Sequence, residues 1–83
     1  MQISLEISMY PLKTEYADPI LAFIDQILAE DELTVVRNNL STHIFGDYQR
    51  IMRLMSDEIE TAFKHYPETV FILKIVGQNL APD

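Results

Sequence analysis

The sequence has no cysteine. That absence removes disulfides, thiolate metal ligands and cysteine nucleophiles together, and leaves the redox compartment open. Glycine is nearly as scarce: Gly46 and Gly77 stand far apart, so no glycine-rich phosphate loop can be assembled. Basic residues are few as well. Six Lys and Arg against thirteen Asp and Glu give a net charge of −7, which repels phosphate backbones and anionic headgroups and tolerates a cationic ligand better. Neither nucleic acid nor a membrane is therefore an expected partner. No apolar run approaches the roughly 18–20 residues of a membrane helix. The first ten residues alternate like a strand and carry no basic segment or cleavage site, so a cytoplasmic protein is expected.

What is present is the composition of a packed globule. With 83 residues, 48% hydrophobic and 23% charged, the chain predicts one domain over residues 1–83 with a real core. A chain this short buries only about 60–65% of its unfolded surface.

The pattern along the chain alternates between strand and helix periods. Ile3, Leu5, Ile7 and Met9 fall on one face of residues 2–10, and Ser4, Glu6, Ser8 and Tyr10 on the other, the period of a half-buried strand ending at Pro11. Asp18-Pro19 reads as an N-cap followed by the first helical position. Ile20, Phe23, Ile24, Ile27 and Leu28 then form one helical stripe, and the acidic run Glu30-Asp31-Glu32 follows as a solvated turn. Leu33–Arg37 and Ser41–Phe45 predict two strands joined at Asn38-Asn39. Gly46-Asp47 punctuates before a second helical stripe of Tyr48, Ile51, Met52, Met55, Ile59, Ala62 and Phe63, which Pro67 ends. Val70–Val76 predicts a last strand, with a short tail from Gly77.

Strand, helix, strand, strand, helix, strand is the split-βαβ order. It predicts an α+β, ferredoxin-like βαββαβ sandwich: a four-stranded antiparallel sheet in the order 4-1-3-2, with both helices on one face. The other face is then uncovered. With Ile44 inward, it receives Ser41, His43 and Phe45, together with Ser4, Glu6, Ser8 and Tyr10. From the last strand it receives either Val70, Ile72, Lys74 and Val76 or the alternate set Phe71, Leu73 and Ile75. Either set exposes large apolar groups, which predicts sheet-face association of copies into a homodimer or homotetramer. Glu6 and Lys74 fall on neighbouring strands as a cross-strand ion pair.

Candidate ligand-binding residues are the polar groups at the strand ends: Ser8 and Tyr10, then Asn38, Ser41, Thr42 and His43 around the hairpin. The competing reading is ordinary, because Ser, Thr and Asn at such positions satisfy local backbone groups. If the first and third strands paired in parallel, the Ser8/Tyr10 end and the Asn38/Ser41 end would be separated within one subunit, and only a groove between subunits would unite them. His43 and His65 lack a second ligand at metal spacing. Asp57, Glu58 and Glu60 read as the solvated face of the second helix, so no catalytic carboxylate pair and no cofactor is expected. Met9, Met52 and Met55 read as core filler.

The segments Ile7-Ser8-Met9-Tyr10-Pro11-Leu12, Asn38-x-Leu40-Ser41-Thr42, Ile44-x-Gly46-Asp47 and Leu73-Lys74-Ile75 resemble the YkoF-like thiamine-binding family, across about residues 3–76. Arg37 stands where relatives often carry Thr. The resemblance implies a ferredoxin-like fold, oligomers joined through sheet faces, and binding of thiamine or hydroxymethylpyrimidine without chemistry. An aminopyrimidine presents one amino donor and two ring-nitrogen acceptors, which Ser, Thr, Asn and backbone groups match. Tyr10 or Phe45 would stack on the heterocycle, and a thiazolium over an aromatic face gains about 0.5–2 kcal/mol. Two alternatives stand beside this reading. One is an oligomerisation or regulatory module with no small ligand. The other is a cofactor-independent enzyme using His43 as its proton-transfer group.

Overall fold

The computed structural model describes residues 1–12 and 17–82, with the side chains of residues 17 and 18 excepted. The capping role predicted for Asp18 therefore lies outside the described side chains. The elements are β1 (Gln2–Pro11), α1 (Ala17–Leu28), β2 (Thr34–Arg37), β3 (Thr42–Asp47), α2 (Tyr48–His65) and β4 (Thr69–Val76). They form one antiparallel sheet in the order β2-β3-β1-β4, which is 4-1-3-2 read from its other edge. This is the ferredoxin-like α+β arrangement.

Alternation in β1 sets the two faces. Ile3, Leu5 and Ile7 are almost fully buried, as are Ile44 from β3 and Ile27, Ile51 and Met55 from the helices. Burying each such side chain contributes about 1.5–3 kcal/mol before conformational entropy is counted. The register pairs Leu5 with Ile44 and with Ile75 on the helix-bearing face, where Leu5 and Ile44 are buried and Ile75, on the edge strand, stays exposed. Phe71 on β4 receives Phe23 from α1 at 5.2 Å and Phe63 from α2 at 5.5 Å between ring centroids, tying both helices to that strand. Leu28, expected in the α1 stripe, is instead 48% exposed at the last residue of the helix.

The third strand runs on through Gly46 and Asp47, so this pair ends β3 instead of forming a separate turn. Gly46 has φ +154°, and a Cβ there would stand 2.6 Å from Leu33 Cδ2, so both backbone and packing demand glycine. Asp47 caps α2: its Oδ2 accepts the Arg50 backbone N–H at 3.2 Å. Lys64 and His65 occupy the last turn of α2, where positive charge suits the carbonyl end of the helix dipole. The acidic turn after α1 is not simply solvated. Arg50 pairs with Glu30 at 2.8 Å and Glu32 at 3.3 Å, joining that turn to α2.

The tail folds back on the sheet. Ser4 Oγ donates to Gln78 O at 2.6 Å and accepts Leu80 N–H at 2.8 Å. Phe45 is only 7% exposed even though the register puts it beside Ser4 on the face without helices.

Candidate functional site

Antiparallel pairing of β1 with β3 decides where the polar strand-end residues meet. Ile7 lies opposite Thr42, so the end of β1 and the start of β3 adjoin within one chain. The separation that a parallel pairing would impose does not occur, and no second subunit is needed to unite these ends. Ser8 Oγ in fact donates to Leu40 O at 3.4 Å.

At this end of the sheet, between α1 and the hairpin, lies a cleft of about 290 Å³. Ile7, Met9, Ile20, Phe23 and Ile24 supply its apolar walls. Ser8, Tyr10, Asn38, Ser41 and Thr42, five of the seven predicted ligand-binding residues, reach the same space. Asn39 and Leu40 also line it. The walls from α1 were legible only as core periodicity, since nothing in the sequence distinguishes an apolar residue that closes a core from one that borders a cleft.

The hairpin tip is held by Asn38. Its Oδ1 accepts the N–H groups of Leu40 at 2.7 Å and Ser41 at 3.0 Å, while its own N–H donates to Ser41 O at 3.1 Å. That Asx arrangement leaves the Asn38 amide nitrogen free of the described hydrogen bonds. The same holds for the hydroxyl groups of Thr42 and Tyr10 among the described residues. Thr42 is buried and lines the cleft. The unengaged groups set against the apolar wall are thus the Asn38 amide and the Thr42 hydroxyl, while the register turns the Tyr10 side chain to the opposite face. Arg37, whose charge would oppose a cation, is not among the lining residues.

His43 and Phe45 do not line the cleft; strand alternation turns them to the opposite face. There Glu6 Oε2 lies 2.9 Å from His43 Nε2 and accepts the Ser41 hydroxyl at 3.1 Å, and Glu6 Oε1 lies 3.6 Å from Lys74 Nζ. The Ser41 hydroxyl is thereby drawn away from the cleft. Its hydrogen bond is the largest influence holding the Glu6 carboxyl below its ordinary value, with His43 and Lys74 acting in the same direction against partial desolvation. Around this group the register places Tyr10, Val36, Val70, Ile72 and Val76, all exposed, so the first of the two alternatives for β4 is the observed one. No helix among the described residues is long and apolar enough to cross a membrane.

No family model matches the chain, and a search of curated proteins finds no significant match. Solved structures with the same fold do match. A protein from Streptococcus pneumoniae is 24% identical, with a TM-score of 0.73 over 96% of this chain and 90% of its own. A Thermotoga maritima protein, provisionally named for thiamine biosynthesis/salvage, is 16% identical, with a TM-score of 0.78 over 94% of this chain and 85% of its own. The domain of unknown function DUF77 from Bacillus cereus is 11% identical, with a TM-score of 0.79 over 96% of this chain and 79% of its own. At these identities the likeness establishes the fold they share.

Proposed function

We propose that this protein is a non-catalytic binder of thiamine or its hydroxymethylpyrimidine portion, a single-domain relative of the YkoF-like proteins, and that the cleft beside the hairpin is the binding site. The observation that carries the reading is one apolar-walled space within a single chain, lined by Ser8, Tyr10, Asn38, Ser41 and Thr42, in which the Asn38 amide and the Thr42 hydroxyl are uncommitted among the described residues. Its volume of about 290 Å³ suits one heteroaromatic ring better than an extended substrate. The free donors of Asn38 and Thr42 complement ring-nitrogen acceptors, and a mismatched buried polar group would cost about 1–3 kcal/mol, which provides selectivity. The naming of the Thermotoga maritima structure for thiamine biosynthesis/salvage supports the same ligand class.

The test is thermal unfolding with thiamine, hydroxymethylpyrimidine and unrelated heterocycles. Ligand at about a hundred times its dissociation constant stabilises the fold by roughly 2.7 kcal/mol, a shift on the order of 10 °C or more for a domain this size. A shift confined to the pyrimidine compounds is expected; an equal response to every heterocycle, or to none, overturns the reading.

The second part of the reading is self-association through the helix-free sheet face. Exposed Val36, Val70, Ile72 and Val76 surround Glu6 and Lys74, whose charges cancel, on a chain whose net charge is −7. Two copies meeting through this face bury its apolar groups and avoid opposing their acidic surfaces. Sedimentation should give a dimer or tetramer that Ile72→Lys dissociates. A wild-type protein that sediments as a monomer at high concentration would sink this part alone.

A further inference from the structure

A second cleft lies between α1 and α2, with a volume of about 460 Å³. Its floor is apolar: Pro19, Phe23 and Ala62 are all buried. Its polar rim is Gln26 from α1 and Glu58, Thr61, His65 and Tyr66 from the end of α2. The spacing Glu58, Thr61, Ala62, His65 places these residues on one helical face, so the cleft follows from the helix itself.

The hydrogen bonds already made at this rim determine what it still offers. Thr61 Oγ1 donates its proton to Asp57 O at 3.0 Å, which leaves the oxygen as an acceptor. His65 Nδ1 lies 3.0 Å from Thr61 O, and because a carbonyl only accepts, Nδ1 carries the hydrogen and Nε2 of the neutral ring is an acceptor. The third acceptor is the Glu58 carboxylate, which has no basic partner within ion-pair distance among the described residues. Arg50 and Arg53 border the neighbouring cavity with Glu58, but Arg50 is committed to Glu30 and Glu32. Burial raises the Glu58 carboxyl above its ordinary value, and the negative charges of Asp57 and Glu30 push it in the same direction. A rim of acceptors beside a carboxylate with no ion-pair partner among the described residues suits an occupant that brings donors and positive charge, and the apolar floor suits one with an apolar body.

We propose that the α1–α2 cleft is a second ligand site, separate from the hairpin cleft, that takes a small organic cation: an ammonium or amidinium group on an aromatic or aliphatic body. The cationic group meets Glu58 and the acceptors of Thr61 and His65, and the body lies on Phe23 and Ala62. A charge-assisted contact of this kind is worth about tenfold or more in affinity, while the small apolar floor keeps a fragment-sized ligand in the millimolar range.

The test uses benzamidine as probe and benzamide as its neutral counterpart, each titrated into the isotopically labelled full chain and followed by amide chemical shifts. Benzamidine should move the amides of Ala22, Gln26, Thr61, Ala62 and His65. Benzamide should bind at least about tenfold more weakly, and Glu58→Gln should weaken benzamidine by a similar factor while leaving benzamide unchanged. Equal binding of the two compounds, insensitivity to Glu58→Gln, or shifts centred on Asn38–Thr42 instead would overturn the proposal. A response to acetate centred on His65, with none to benzamidine, would also overturn it by showing an anion site. These outcomes are independent of any response to pyrimidines at the hairpin cleft.

Discussion

Glu6 and His43 face each other across the β1–β3 pair, with Glu6 Oε2 2.9 Å from His43 Nε2, on the sheet face that no helix covers. Ser41 and Lys74 complete the set of groups that keep this carboxylate ionised. Its folded pKa lies below the unfolded value, so its contribution is present above the ordinary carboxylate range and is lost as pH falls through the folded pKa. Glu6→Gln should therefore lower the melting temperature at pH 7 and leave it nearly unchanged at pH 2. An equal effect at both pH values would show that packing, not the charge, is what the mutation removes.

Gly46 should tolerate no side chain. Gly46→Ala combines an unfavourable φ with a 2.6 Å contact to Leu33 Cδ2, and a loss of about 1–3 kcal/mol is expected, or roughly 4–8 °C in melting temperature per kcal/mol. Adding Leu33→Ala relieves the contact but not the backbone. The double variant should consequently be more stable than the sum of the two single changes predicts, and strict additivity would argue against the contact.

Asn38 has two separable roles. Asn38→Asp keeps an oxygen for the Leu40 and Ser41 N–H groups but removes the amide donor, whereas Asn38→Ala removes both. If the amide contacts the ligand, Asn38→Asp should retain the melting temperature and lose pyrimidine binding by about tenfold or more. Normal binding by Asn38→Asp would confine this residue to shaping the hairpin.

Ser4 fastens the tail. Ser4→Ala removes an acceptor for Leu80 N–H and a donor to Gln78 O, at a cost of about 1–2 kcal/mol. Amide exchange at Leu80 should accelerate while exchange in the centre of β1 changes much less. Unaltered protection at Leu80 would mean that other contacts hold the tail.

Much of the fold is legible in the residues. The period of two in β1 and the helical stripes of α1 and α2 name the core side of each element, because burial of one face is a local pattern repeated along the chain. Element ends are less legible: Gly46 and Asp47 carry turn chemistry, yet the first closes a strand against Leu33 and the second caps a helix. The site was legible as a set of residue types. Which members share a space was not: alternation groups Ser8 and Tyr10 with His43 on the open face, yet the first two line the cleft at the sheet end and His43 does not.

The sequence by itself determined the order of elements, the core faces and the polar residues near the hairpin, because these depend on periodicity, turn chemistry and composition. The antiparallel β1–β3 pairing follows from the predicted sheet order, but only the tertiary structure decided that the end of β1, the hairpin and α1 close a cleft within one chain. It also decided that Glu58, read from the sequence as part of a solvated acidic face, borders a cavity between helices. Both depend on which surfaces of separate elements come together, and that is a property of packing between segments distant in sequence.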